Sequence, residues 1–429
     1  MHIPSIPHSL ILLTVILTAT SQSSRAQGPL NPPGAPAPTM KSLQEIWDKV
    51  GTLQTTVGTL QTTATSQQQQ ISLLQQQNTL LQQQNALLLA NANIVLPWQI
   101  TTVDSGGGVG QYTSLAYTPA GQPAISYWDN SNIRLKYAVF NGSIWTSSTV
   151  DSTGAAGVDT SLAFTPGGQP AISYYDMMNG DLKYAVFNGS TWTLSTVDST
   201  GVVGSATSLA FTPAGQPAIS YYDITSADLK YAVYNGSSWT LSTVDSTGNV
   251  GLYTSLAFTP AGQPAISYRD DTNYDLKYAV FNGSIWTSSI VDSTAGDVGL
   301  HTSLAFTPAG QPAISYFDMM NGDLKYALFN GSTWTLSTVD NSSWVGTYTS
   351  LAFTPAGQPA ISYYDGGNSD LKYAVFNGST WTCSTVDSAG SVGQYTSLAF
   401  TPGGQPAISY YDDTKRDLKF AVRKPFVSP

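Results

Sequence analysis

Aspartate recurs along this chain at fixed intervals and in fixed company. A Val-Asp step falls at Asp104, Asp151, Asp198, Asp245, Asp292, Asp340 and Asp387. A Tyr-x-Asp ending falls at Asp129, Asp176, Asp223, Asp270, Asp318, Asp365 and Asp412. An Asp-Leu-Lys start runs from Asp181-Lys183 to Asp417-Lys419, with Arg134 replacing that aspartate ahead of Lys136 in the first copy. Together they hold 20 of the 25 aspartates, whereas glutamate occurs once, at Glu45. Carboxylates so placed can accept hydrogen bonds from sugar hydroxyls, hold a hard cation, or pair as acid and base.

Each of those chemistries has a structural competitor. Asp at a strand end accepts backbone N–H bonds in Asx turns, and an Asp-Lys pair ties strands together. The ligand-binding reading rests on adding aromatics, because a pyranose stacks its apolar face on an aromatic ring while carboxylates take its hydroxyls. Candidate platforms close the Tyr-x-Asp runs at Trp128, Tyr175, Tyr222, Phe317, Tyr364 and Tyr411, with Arg269 in the same slot. A second set is Tyr112, Tyr253, Tyr348 and Tyr395, with His301 in the corresponding position; Asp159 and Ala206 fill that slot elsewhere. Calcium is the alternative for Asp176-Met-Met-Asn179-Gly180-Asp181 and for Asp270-Asp271-Thr-Asn273-Tyr-Asp275. Neither matches the spaced acidic loop of a calcium-binding helix pair, so no metal or other cofactor is expected. Zinc lacks ligands, with one cysteine, Cys383, and one histidine in the repeats.

The intervals belong to a repeat. Successive Val-Asp aspartates lie 47 residues apart, and 48 once, across residues 98–422. A period of this size signals a propeller, solenoid or array. T-S-L-A-F-T, P-A-I-S-Y-Y-D, D-L-K-Y-A-V-F and W-T-L-S-T-V-D are short runs rich in β-branched and aromatic residues, separated by turn signals. T-P-A-G-Q-P joins the first two runs, and Asn-Gly, the favoured type I′ sequence, joins the last two. Four antiparallel strands repeated seven times predict an all-β, seven-bladed β-propeller over 98–424. A lone fourth-type strand, 98–104, precedes the first full unit, and the last unit lacks one. The N-terminal strand is therefore expected to complete the last blade. The turns of one face are nearly identical in every unit; the charged and variable residues collect on the other.

Ahead of the propeller, residues 9–20 form an apolar run of signal-peptide length, and Ser24-Arg25-Ala26 offers a cleavage site. Residues 1–26 are read as a signal peptide and 27–41 as a Pro-rich linker, which places the mature protein outside the cytoplasm, secreted or on the cell surface. Residues 42–90 carry a heptad pattern. Leu43, Val50, Val57, Ala64, Ile71, Asn78 and Asn85 take the a positions; Ile46, Leu53, Leu60, Gln67, Leu74, Leu81 and Leu88 take d. Such a seam predicts a coiled coil that joins copies of this chain as a dimer or trimer. Ser42 and Glu45 have capping-box spacing.

Composition narrows the partners. The chain of 429 residues has a formal charge of −10 and no basic cluster in the repeats, which argues against nucleic acid. No run is long enough for a transmembrane anchor.

The string G-Q-P-A-I-S-Y-Y-D…D-L-K-Y-A…G-S-x-W…V-D-S resembles the short repeats of bacterial secreted propellers grouped with sialidase-like (BNR or Asp-box) repeats. Its specific part is Gly-x-x-Trp, as in Gly142 to Trp145. An Asp-box would set Asp and Ser where Phe140 and Ala138 stand, so the resemblance implies architecture alone. Sialidases of this kind use three arginines and a glutamate-activated tyrosine. The repeats hold Arg134, Arg269, Arg416 and Arg423 at non-equivalent places and no glutamate. The expectation is therefore a non-enzymatic, lectin-like protein that binds carbohydrate or a surface polymer through the variable face. A protein-binding or cell-envelope scaffold module is the alternative, and a glycoside hydrolase or lyase the third.

Overall fold

The computed structural model describes residues 40–91, 97–294 and 296–423. The expected signal peptide and the linker up to residue 39 lie outside the described residues. Met40–Asn91 is one helix of 52 residues. It begins two residues before Ser42, so Ser42 sits inside the helix instead of capping it. Threonine hydroxyls along it bond back to the carbonyl four residues earlier, as Thr52 does to Asp48 at 2.9 Å and Thr59 to Thr55 at 3.0 Å. Its heptad residues Ile46, Leu53, Val57, Leu60, Leu74 and Leu81 are exposed.

Residues 98–423 form seven four-stranded antiparallel sheets, the blades of a propeller. In blade 1 the order from inside outward is Val109–Tyr117, Pro123–Asp129, Arg134–Phe140 and Trp145–Asp151. Burial follows that order. Ala124, Ile125 and Tyr127 on the second strand are wholly buried, whereas the middle of Trp145–Asp151 is exposed Ser and Thr. A strand packed between neighbouring blades is apolar on both faces; the outer one needs only a polar surface. In the seventh sheet the outermost strand is Trp98–Asp104, antiparallel to Asp417–Arg423.

Inter-blade hydrogen bonds repeat at every junction. The Ser114 hydroxyl accepts the Leu162 N–H at 3.0 Å, and Ser397 does the same for Leu115, joining blade 7 to blade 1. Behind them, Ser126 meets Thr160 at 2.5 Å and Ser173 meets Thr207 at 2.9 Å. Seven apolar clusters fill the spaces between blades, each built on the same Leu, Ile, Tyr, Ala and Val positions.

One local expectation differs. The Asn-Gly hairpins are not type I′ turns: Gly142 has φ +100°, but Asn141 keeps a negative φ. The Asn141 side-chain oxygen instead accepts the N–H groups of Ser143 and Ile144 at 2.9 and 3.0 Å, spreading the reversal over four residues.

Candidate functional site

The Val-Asp aspartates are blade-to-blade ties. Asp151 accepts the Tyr174 hydroxyl of the next blade at 2.6 Å, and the same bond recurs from Asp104–Tyr127 to Asp387–Tyr410 at 2.6–2.7 Å. In six of the seven, the lysine of the next blade joins in, as Lys277 does on Asp245 at 2.5 Å and Lys325 on Asp292 at 2.7 Å. Lys183 is the exception and reaches Thr196 at 3.5 Å. Six of these carboxylates are buried, Asp104 is half-buried, and all seven are satisfied.

The Tyr-x-Asp candidates Asp129, Asp176, Asp223, Asp270, Asp318, Asp365 and Asp412 are also buried, each no more than 4% exposed. All seven hold the following loop. Asp129 accepts the Asn132 N–H at 3.0 Å, Asp223 that of Thr225 at 3.0 Å, and Asp412 that of Lys415 at 2.9 Å. Asp176, Asp270, Asp318 and Asp365 take an asparagine N–H in the same way, at 3.0–3.3 Å.

The platforms beside those aspartates are uneven. Arg269 is buried between Asp271 and Asp297, at 2.9 and 2.6 Å, and lies over Tyr274. Phe317 is buried edge-on to Trp344, and the Tyr222 hydroxyl donates to Asn249 at 2.7 Å. Trp128, Tyr364 and Tyr411 lean toward the second candidate set, with ring centroids 6.0, 6.4 and 6.3 Å from Tyr112, Tyr348 and Tyr395. Tyr175 is half-buried.

The structure brings that second set together. Sequence reading put Tyr112 ahead of its strand; it lies within Val109–Tyr117, at a bulge. Gln111 pairs with Trp128 and Ser114 with Ser126, so Tyr112 and Thr113 share one partner position. Tyr112, Asp159, Ala206, Tyr253, His301, Tyr348 and Tyr395 all occupy this bulge, with φ between 52° and 55°. The left-handed region costs a residue with a side chain about 1 kcal/mol or more. Paid seven times, it turns one residue per blade into a single column around the propeller axis. The column lines a cavity of about 210 Å³, together with the threonine that follows each of its residues.

Five of the seven form an arc of rings. Centroid separations are 4.5 Å for Tyr253–His301, 4.6 Å for His301–Tyr348, and 4.5 Å for both Tyr348–Tyr395 and Tyr395–Tyr112. Neighbouring planes are inclined by 47–49°, close to the rotation from one blade to the next. Rings so near cannot lie side by side with their faces to the axis; they overlap like vanes. Asp159 and Ala206 interrupt the arc. One face of Tyr112 and one of Tyr253 therefore have no neighbouring ring within the column.

The electrostatics of the column are set by burial. Desolvation lowers His301 to about 4, so its imidazole is neutral at physiological pH. Burial pushes the Asp159 carboxyl above its ordinary value, against the Ala206 N–H and Ser205 hydroxyl that favour the charge. Those two donors, at 2.7 and 3.1 Å, both bind Oδ2. Asp159 was absent from the candidates read in the sequence. Its signal was there, as the one acid in a slot otherwise aromatic or small.

Clefts between blades on the opposite face also escaped the sequence reading. One of about 470 Å³ is lined by Gln122, Phe140, Trp145 and Phe420, and others of about 610 and 370 Å³ occupy the same place by Trp239 and Trp334. Their residues recur in every blade, and Trp145 packs on Phe140 and Phe420 at 5.4 and 5.2 Å.

No protein-family model matches this chain, and no curated protein does. Solved structures share the fold. YCF48 bound to a D1 peptide is 13% identical over 77% of this chain and 96% of its own, with a TM-score of 0.52. A polysaccharide lyase, the PL25 ulvan lyase, is 13% identical over 75% and 95%, also with 0.52. The fucose-specific lectin of Aleuria aurantia is 18% identical over 66% and 96%, with 0.44. At 13% identity the likeness to the two structures with a TM-score of 0.52 concerns the propeller frame alone.

Proposed function

We propose that this chain is an exported recognition protein that binds carbohydrate on the variable, charged face of the propeller, centred on the axial column, and that joins copies of itself through its heptad helix. The observation that carries this reading is the column. Seven residues hold a costly backbone conformation at one point, and five of them present ring edges, with a carboxylate at the same mouth. Strained backbone of this kind concentrates where ligands are held. Aromatic surface, tyrosine hydroxyls and a carboxylate supply the contacts a sugar needs.

A binding role fits better than hydrolysis. A glycosidase needs two carboxylates in different environments beside the substrate. The Val-Asp and Tyr-x-Asp carboxylates are committed to ties and turns, which leaves Asp159 as the one acid lining the cavity. The exposed apolar seam from Ile46 to Leu81 supports self-association, which would multiply a weak single site through effective concentration. Export rests on the N-terminal apolar run. Among the described residues no helix is long and apolar enough to cross a membrane.

A glycan array probed with the full chain and with Ala206→Tyr tests the reading. Binding by the former that the latter loses is the expected result. Retention by both would move the site off the axis, and no binding by either counts against carbohydrate altogether.

A second reading has its own observation. Met177, Met178, Met319, Met320 and Trp344 are exposed in the loops of the same face. Flexible methionines suit a protein surface. A partner captured by the full chain and not displaced by free sugars would favour this reading.

A further inference from the structure

Two neighbouring vanes are missing from an otherwise continuous wheel. From Tyr253 through His301, Tyr348 and Tyr395 to Tyr112 each ring is covered by the next. Then Asp159 and Ala206 follow, and the wheel opens. The opening has aromatic surface on both sides, from Tyr112 and Tyr253, and a carboxylate between them.

That carboxylate is only half answered. Asp159 Oδ2 accepts from the Ala206 N–H at 2.7 Å and the Ser205 hydroxyl at 3.1 Å, while Oδ1 accepts nothing from the described residues. Asp159 forms no ion pair among the described residues, in contrast to Asp104, Asp198, Asp245, Asp292, Asp340 and Asp387, which each hold a lysine. A carboxylate set among aromatic rings without a cation of its own is a site for one. The space argues for a ring as well. The cavity of about 210 Å³ is smaller than the roughly 300–1,000 Å³ of drug-sized ligand sites, and suits one sugar residue.

We propose that the opening between Tyr112 and Tyr253 binds a single amino-sugar residue, its protonated amine on Asp159 Oδ1 and its ring between the two tyrosine faces. This rests on the reading of the axial column as a carbohydrate site, and goes further by naming the charge of the sugar. The amine replaces the missing counter-ion, and the pyranose replaces the missing vanes. An N-acetylated sugar keeps the ring but loses the charge. A neutral hexose cannot answer Oδ1 with more than a hydroxyl.

The test is calorimetric titration of the full chain, Asp159→Asn and Ala206→Tyr with the methyl glycosides of glucosamine, N-acetylglucosamine and glucose, and with cyclohexylamine. Both variants should fold. Asparagine is among the residues most tolerant of left-handed backbone, and tyrosine already occupies this conformation in four other blades. Thermal melts verify this. Glucosaminide should bind at least about tenfold more tightly than the other two sugars and than cyclohexylamine. Asp159→Asn should abolish the preference, and Ala206→Tyr should abolish binding. Equal affinity for the three sugars, or an unchanged preference in Asp159→Asn, overturns the amine assignment; if Ala206→Tyr still blocks them, the axial carbohydrate site survives it. Cyclohexylamine binding as tightly as glucosaminide overturns the sugar half. If no sugar responds to either variant, both readings fall.

Discussion

The Tyr127 hydroxyl donates to the Asp104 carboxylate across 2.6 Å, from the second strand of the first blade to the outermost strand of the seventh. The same bond at six other junctions joins blades that follow one another in the chain; this one joins its two ends. Removing Trp98–Asp104 should therefore strip the seventh sheet of a strand and the first blade of its tie. The truncated protein is expected to melt well below the full chain in a calorimetric scan. Tyr127→Phe alone should cost about 1.5–3 kcal/mol, the range for a hydrogen bond to a charged group.

Acid should attack these ties first. Burial raises the Asp340 carboxyl, but hydrogen bonds from Lys372, Tyr363 and Ser342 outweigh it and hold it at about 2. Asp104, Asp198, Asp245, Asp292 and Asp387 are lowered in the same manner. A carboxyl with a depressed folded value binds protons more readily once unfolded. Its stabilisation is present above the ordinary 3.8 and is lost as pH falls from there toward about 2. Denaturant melts across that window should show a steep loss, shallower in Lys372→Met.

The column carries two titrations of opposite kind. His301 is lowered to about 4 by burial, so the unfolded chain takes up its proton first as pH falls from 6.5 to about 4, and stability drops over that range. His301→Tyr should flatten this slope relative to the parent. Asp159 is raised by burial, so its ionised form opposes folding at neutral pH. Asp159→Asn should melt at the same temperature or higher in the absence of ligand.

Gly204 sits at φ +102°, where an added Cβ would come within 2.7 Å of the Leu182 Cα in the preceding blade. Backbone cannot yield as a side-chain tip can. Gly204→Ala should destabilise by about 1–3 kcal/mol or more, read in the same denaturant melts.

The exposed heptad residues give the last prediction. Replacing Leu53, Leu60, Leu74 and Leu81 with serine should convert an oligomer to a monomer in light scattering, with the strand signal of the propeller unchanged. A parent that is itself monomeric would refute self-association through this helix.

The frame was legible because each unit repeats its strand pattern and turn chemistry, and because 98–104 stands out as a strand without its fellows. The lysine ties, such as Lys277 on Asp245, were legible as a class of interaction, whereas the tyrosine hydroxyl that joins Asp151 to Tyr174 was not foreseen. Nothing in one unit's sequence says which neighbour a strand-end carboxylate will meet. The column was named in part, at Tyr112, Tyr253, His301, Tyr348 and Tyr395, but its convergence was hidden. A bulge that places two residues opposite one breaks the alternation from which facing is inferred. Asp159 was missed because an isolated departure from consensus reads as drift until its six counterparts are seen around one point.

The identical backbone at the seven axial positions makes that ring an alphabet. Tyrosine, histidine, aspartate and alanine already occupy interchangeable seats there, so any letter can be rewritten without disturbing the blade that carries it. Selection, or a designer, can change the lining of the axial cavity one seat at a time while the wheel around it stays the same.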